Sequence, residues 1–156
     1  MALFLVQHGK SLPKEKDPGR GLSRQGIEET RAIAEMVAEP NVRVSRIIHS
    51  GKKRALQTAE IFMEILKPEA GVAKGSGLAP LDDVSIFAPT VSTEENTMFV
   101  GHLPFMERLV SYLITGSPDT LVVKFQNSGI VCLDTESAGQ PFFIRWTLFP
   151  LINNES

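Results

Sequence analysis

Three histidines occur in this 156-residue chain, and each follows a stretch with strand-forming apolar residues. Residues 3–6, LFLV, lead into Gln7-His8-Gly9. The run 44–48 leads into His49-Ser50-Gly51, then Lys52, Lys53 and Arg54. Residues 97–101 lead into His102-Leu103-Pro104. A neutral imidazole is nucleophilic near pH 7 and can take a phosphoryl group on a ring nitrogen. Phosphoryl transfer calls for cations and N–H donors around three equatorial oxygens. Arg54 offers a guanidinium fork, His102 a further donor, and a helix starting after Ser50 a potential that favours anions. Gly9 would let the backbone approach a ligand closely. Each residue alone has a plain structural reading: a His-Gly turn, a solvated helix arginine, a hydrogen-bonded core histidine. Their joint placement is what points to chemistry.

That placement depends on the elements around them. Residues 3–6 are apolar without alternation, as in a central strand covered on both faces. The segment 11–21, with Pro13, Pro18, Gly19 and Gly21, reads as a loop. Ser23 is positioned to cap a helix running to about Ala38, with Ile27, Thr30, Ile33 or Ala34, and Val37 on its apolar face and Pro40 as its stop. Residues 44–49 read as a strand. Residues 52–66 read as a helix with Leu56, Ala59, Met63 and Leu66 along one stripe and Pro68 beyond its end. Residues 70–77 form a loop or short strand. Asp82 could cap a short helix ending near Pro89. A strand over 97–101 precedes a helix with Pro104 in its first turn, running through Ile114 and closed by Gly116. Residues 121–125, 129–133 and 142–149 read as strands, with a turn around 137–140. Strands alternating with helices predict a three-layer α/β/α sandwich with a mainly parallel sheet. In such sheets, sites form at the carboxyl ends of strands.

The bulk numbers narrow the functional classes. Hydrophobic residues make up 42% and charged residues 22%, ordinary for a globular protein, and the length suits one core. A net charge of −2 implies no nucleic-acid partner. The single cysteine, Cys132, reads as a small core residue, and no Cys/His cluster has metal-ligand spacing. The N-terminal apolar run is too short for a signal peptide, and no stretch reaches the length of a membrane span. A cytoplasmic protein with no membrane partner is the default expectation.

Four segments together resemble the histidine phosphatase, or phosphoglycerate mutase-like, superfamily. LFLVQHGKS (3–11) resembles its strand and RHG motif, and GLSRQG (21–26) its L-T-x-x-G helix start. IIHSGKKRALQTAEIF (47–62) resembles S-P-x-x-R-A-x-Q-T-A, and VGHLP (100–104) the strand carrying its second histidine. Short length and LAPLDD (78–83) bring the chain nearest the SixA-type phosphohistidine phosphatases. The resemblance implies one histidine phosphatase domain over 1–156 with a phosphoglycerate mutase-like fold. It implies a phosphatase without metal or organic cofactor, acting on a phosphohistidine protein or a small phosphomonoester. His8 would accept the phosphoryl group, and Arg54 and His102 would clamp its oxygens. Gln7, Gly9 and Ser11 would lie against the phosphate. Asp82 or Asp83 would protonate the leaving group, unless Asp82 merely caps the helix and Asp83 supports its first turn. The absence of a long insertion favours an open site, which disfavours a mutase.

Two departures stand out. Gln7 occupies the place of the family arginine, and Gly51 that of a proline. Losing a charged hydrogen bond costs about 1.5–3 kcal/mol, on the order of ten- to a hundredfold in rate. Lys10, Lys52 and Lys53 are the candidates to compensate. The alternative is a phosphate-binding or regulatory module that keeps the pocket and has lost turnover. His49, where the family has a plain strand residue, reads as structural.

Overall fold

The computed structural model describes residues 2–38 and 42–150. The elements in chain order are β1 (Leu3–Gln7), α1 (Arg24–Ala38), β2 (Arg46–His49), α2 (Lys53–Leu66), β3 (Val72–Lys74) and α3 (Val84–Phe87). A 3₁₀ turn (Ala88–Thr90) follows, then β4 (Thr97–Gly101), α4 (Phe105–Thr115), β5 (Ile130–Thr135) and β6 (Phe142–Leu148). The six strands form one sheet in the order β3-β2-β4-β1-β5-β6. The first four in that order run parallel, while β5 is antiparallel to β1 and β6 to β5. The sheet is therefore mixed, with the parallel part carrying the strand ends singled out above.

β1 is buried along its whole length because both of its faces are covered. Phe4 and Val6 pack with Ile33, Ala34 and Val37 of α1 and with Ala55, Ala59 and Phe62 of α2. Leu3 and Leu5 point the other way, to Val84 and Phe87 of α3 and to Phe105, Met106 and Leu109 of α4. Successive residues of one strand thus feed opposite cores, giving the expected three layers. Among the described residues no helix is long and apolar enough to cross a membrane.

Several sequence expectations shift. Ser23 does cap α1, its Oγ accepting from the Gly26 N–H at 3.1 Å. Ile27 lies 40% exposed, however, and the buried face runs through Gly26, Thr30, Ile33, Ala34 and Val37. In α2 the buried face is Ala55, Thr58, Ala59, Ile61 and Phe62, rotated about one residue from the expected stripe, and Met63 faces solvent. The small residues at 55 and 59 let the helix lie close to the sheet, a role that hydrophobicity does not signal. Residues 121–125 form no strand: Leu121 and Val122 are exposed, and the Phe125 N–H donates to Glu107 Oε2 at 2.8 Å in place of a ladder bond. Residues 70–77 do contain the short strand β3. Pro40, expected to stop α1, lies outside the described residues.

Gly26 is where α1 meets the segment after β1. A Cβ there would stand 2.2 Å from the Lys10 carbonyl oxygen and 2.9 Å from the Lys10 nitrogen, both backbone. Helix propensity alone predicts that Gly26→Ala stabilises by about 1 kcal/mol. The contact predicts a loss at or above the upper end of the roughly 1–3 kcal/mol typical of overpacking. Urea denaturation of the variant decides between them, and a midpoint above that of the parent would rule out the contact.

Candidate active site

Strand β1 delivers His8 to the carboxyl edge of the sheet, and neighbouring backbone and side chains hold it there. Its N–H donates to Gly101 O at the end of β4 (3.0 Å), and Asn127 Nδ2 donates to its carbonyl (3.0 Å). The next N–H, of Gly9, donates to Thr58 Oγ1 of α2 at 2.9 Å, and that hydroxyl donates to the Arg54 carbonyl at 2.8 Å. The requirement for glycine at position 9 comes from the protein itself. A Cβ would stand 2.8 Å from Thr30 Oγ1 and 3.1 Å from both Gly26 O and Ser128 Oγ. Close packing against α1 thus requires glycine here independently of any ligand.

The His8 ring has a defined proton. Its Nδ1 lies 2.6 Å from the Gly9 carbonyl oxygen. A carbonyl only accepts, so Nδ1 carries the hydrogen and Nε2 keeps its lone pair. Burial pushes the His8 pKa down to about 4, with the Gly9 bond opposing and the Arg54 and Arg20 charges adding to the fall. His102, buried just after β4, faces it with ring centroids 5.0 Å apart. Burial, then the His8, Arg54 and Lys52 charges, push His102 down to about 3. Its Nε2 lies 2.6 Å from Ser50 Oγ, while Nδ1 is buried without a partner. An orphaned N–H costs more than an orphaned lone pair, so the hydrogen belongs on Nε2, donated to Ser50. One imidazole thus offers a lone pair and the other an N–H.

Arg54 sits in the first turn of α2, half-buried, and its charge bears on both rings. Of the three residues expected together, the two rings face each other, and Arg54 is near enough for its charge to lower both. Gln7 is buried beside them in sequence, with Oε1 unpartnered. Ser11 Oγ accepts from the Arg20 guanidinium at 3.2 Å. His49 is buried, its Nδ1 accepting from Gly51 N–H at 3.0 Å, which is the structural role expected of it.

The two aspartates hold local turns. Asp82 Oδ2 accepts from Ala79 N–H at 2.8 Å. Asp83, rather than Asp82, is the N-cap of α3, its Oδ1 accepting from the Ser85 N–H (2.9 Å) and hydroxyl (2.7 Å). The Ser85 hydroxyl and N–H hold the Asp83 carboxyl below its ordinary range. Both line a cleft with Ser76, Gly77, Ile86 and Phe87 that neither histidine nor Arg54 lines. Sequence reasoning missed Arg20, Ser50, Thr58 and Asn127. Thr58 stood in the quoted motif as a helix residue, whereas Arg20 lay in a loop whose placement no periodicity reveals. Among the described residues, no group of three or more His, Cys, Asp or Glu could hold a metal ion.

His8 and His102 are both neutral at pH 7, and His49 is lowered too, chiefly by burial. The unfolded chain takes protons on these rings near 6.5, before the folded one does. Stability is therefore full above about 6.5 and falls as pH drops towards 4, above most carboxylate titration. Urea midpoints between pH 7 and 4.5 should show this fall, and His102→Gln should make it shallower. A slope unchanged in the variant would contradict the assignment.

Residues 3–75 match the family model of the histidine phosphatase superfamily, branch 1. The chain is 26% identical to phosphohistidine phosphatase SixA of Escherichia coli K12 over 96% of this chain and 94% of that protein. It superposes on the structure of the protein histidine phosphatase SixA complexed with tungstate at a TM-score of 0.82, with 25% identity over 96% of this chain and 97% of the other. Phosphoserine phosphatase of Entamoeba histolytica shares the fold at a TM-score of 0.70, with 15% identity over 97% of each chain. With two imidazoles at the strand ends, the chain has a phosphoglycerate mutase-like fold along nearly its whole length and is similar to the histidine phosphatase superfamily over residues 3–75.

Proposed function

We propose that this protein is a phosphatase that works through a phosphohistidine at His8, with a phosphohistidine-bearing protein as the preferred substrate class and small phosphomonoesters as the other. The observation that carries this reading is the 2.6 Å contact of His8 Nδ1 with the Gly9 carbonyl, which leaves Nε2 unprotonated and free to attack. In the first step Nε2 bonds to phosphorus as the phosphorus–leaving-group bond breaks. In the second, water attacks phosphorus, the P–Nε2 bond breaks and inorganic phosphate leaves. Arg54 and the His102 Nε2–H stabilise the equatorial oxygens as charge builds on them. A bound dianion draws that N–H from Ser50 Oγ, a partner it can exchange at little cost.

A departing imidazole or alkoxide needs a proton. Water supplies it in this reading, since Asp82 and Asp83, the other candidates, hold turns and line a separate cleft, and the bonds from Ser85 keep the Asp83 carboxyl ionised. An imidazole leaves more readily than an alkoxide, which suits a site whose carboxyls are engaged elsewhere. The similarity to SixA points to the same substrate class. The second reading, a phosphate-binding module with lost turnover, draws on the neutral, buried Gln7.

Hydrolysis of a chromogenic aryl phosphate in EDTA should proceed and should fall at least a thousandfold in His8→Ala, on the scale of losing a covalent nucleophile. Labelled phosphate should be trapped on the parent and not on the variant. Tight vanadate binding with no turnover would instead establish the binding module. Turnover that survives His8→Ala would remove His8 from the chemistry. A phosphohistidine protein set against a panel of phosphate esters then ranks the substrates.

A further inference from the structure

Arg20 is held in a conformation that its own backbone disfavours. Its φ is +53°, in the left-handed region. The surrounding bonds over-determine it. Its N–H donates to Asp17 O at 2.8 Å. The Asp17 carboxylate accepts from the N–H groups on either side, Gly19 at 3.1 Å and Gly21 at 2.8 Å, and from Lys53 Nζ at 2.9 Å. Leu22 N–H donates to Gln57 Oε1 at 2.6 Å. One carboxylate thus grips the loop around Arg20 and ties it to the first turn of α2, which also carries Arg54.

The Arg20 side chain spends its donors on weak partners. It donates to Ser11 Oγ at 3.2 Å and to the Leu12 carbonyl at 3.5 Å. Among the described residues no carboxylate pairs with it. Its charge reaches both His8 and Arg54 and makes each harder to keep protonated. Two guanidiniums that repel each other beside a nucleophile, one of them on a strained backbone, are what an anion would reconcile. The lysines first considered are less suited. Lys53 is committed to Asp17, and Lys52 bears on His102 alone of the two rings.

We propose that Arg20 is a phosphate-binding residue of this site, supplying from the β1–α1 loop the guanidinium that Gln7 lacks, with Asp17 as its positioning residue. The proposal rests on the phosphate-site reading above and adds the source of the missing charge. It separates the position of that charge from the strand that carries the nucleophile.

Arg20→Gly is the informative variant, because glycine accepts φ +53° and removes only the side chain. Four proteins are compared: parent, Arg20→Gly, Gln7→Arg and the double variant. Orthovanadate affinity is read by calorimetry, kcat/KM on an aryl phosphate, and the melting temperature alongside. Arg20→Gly should melt at or above the parent yet bind vanadate about ten- to a hundredfold more weakly, the scale of one charged hydrogen-bond set. Gln7→Arg should recover more in the Arg20→Gly background than in the parent. Vanadate affinity within about twofold of the parent in Arg20→Gly overturns the proposal, as does an equal Gln7→Arg gain in both backgrounds. If no protein turns over, the vanadate arm still decides the role of Arg20, and only the hydrolase reading fails.

Discussion

A single hydrogen bond orders the chemistry of this molecule. The Gly9 carbonyl fixes the proton of His8 on Nδ1, and with it which nitrogen can act as a nucleophile. That carbonyl can sit there only because the Gly9 backbone runs flush against α1, with Thr30, Gly26 and Ser128 filling the space a side chain would need. The Thr30 hydroxyl donates to Gly26 O at 2.7 Å and lies 2.7 Å from Ser128 Oγ, so the packing itself is hydrogen-bonded. Residues more than a hundred positions apart thus determine the tautomer of one ring. Core packing and the proton position of the His8 ring are here one constraint, and the central, doubly covered strand is what transmits it.

Burial serves the two imidazoles differently. Both lose their charge, but the hydrogen bonds sort the neutral rings into a donor and an acceptor. Desolvation and the permanent charge of Arg54 act in the same direction on both rings. A ring that stayed protonated beside Arg54 would add like charge to like charge and lose its nucleophilic pair. The result is a pair of uncharged rings, one an acceptor and one a donor, beside permanent guanidinium charge.

Much of this was legible in the residues themselves. His8 and His102 announced themselves because apolar runs that end in histidine mark strand ends, and Arg54 because it follows a strand end by five positions. What failed did so for identifiable reasons. The α2 stripe through Ala59 holds at that residue but fails at Leu56 and Met63, because Ala55, small enough to permit close approach, and Phe62 face the sheet instead. Residues 121–125 have strand-forming side chains but no strand to pair with, and Glu107 satisfies part of their backbone. Asp82 and Asp83 differ by one residue in capping, a distinction that rests on local dihedrals and not on type. Arg20 was passed over because a loop of prolines, glycines and lysines carries no period. Only tertiary bonds from Asp17 and Gln57 bring it back to α2.

Guanidiniums keep their protons throughout the biological range, and here the imidazoles have given theirs up before neutrality is reached. The two imidazoles therefore keep one ionisation state between mildly acidic and mildly alkaline solution. Attraction for a phosphate ester over that interval is governed by the ester's own second dissociation, near 6. The ligand, and not the protein, would act as the proton gauge.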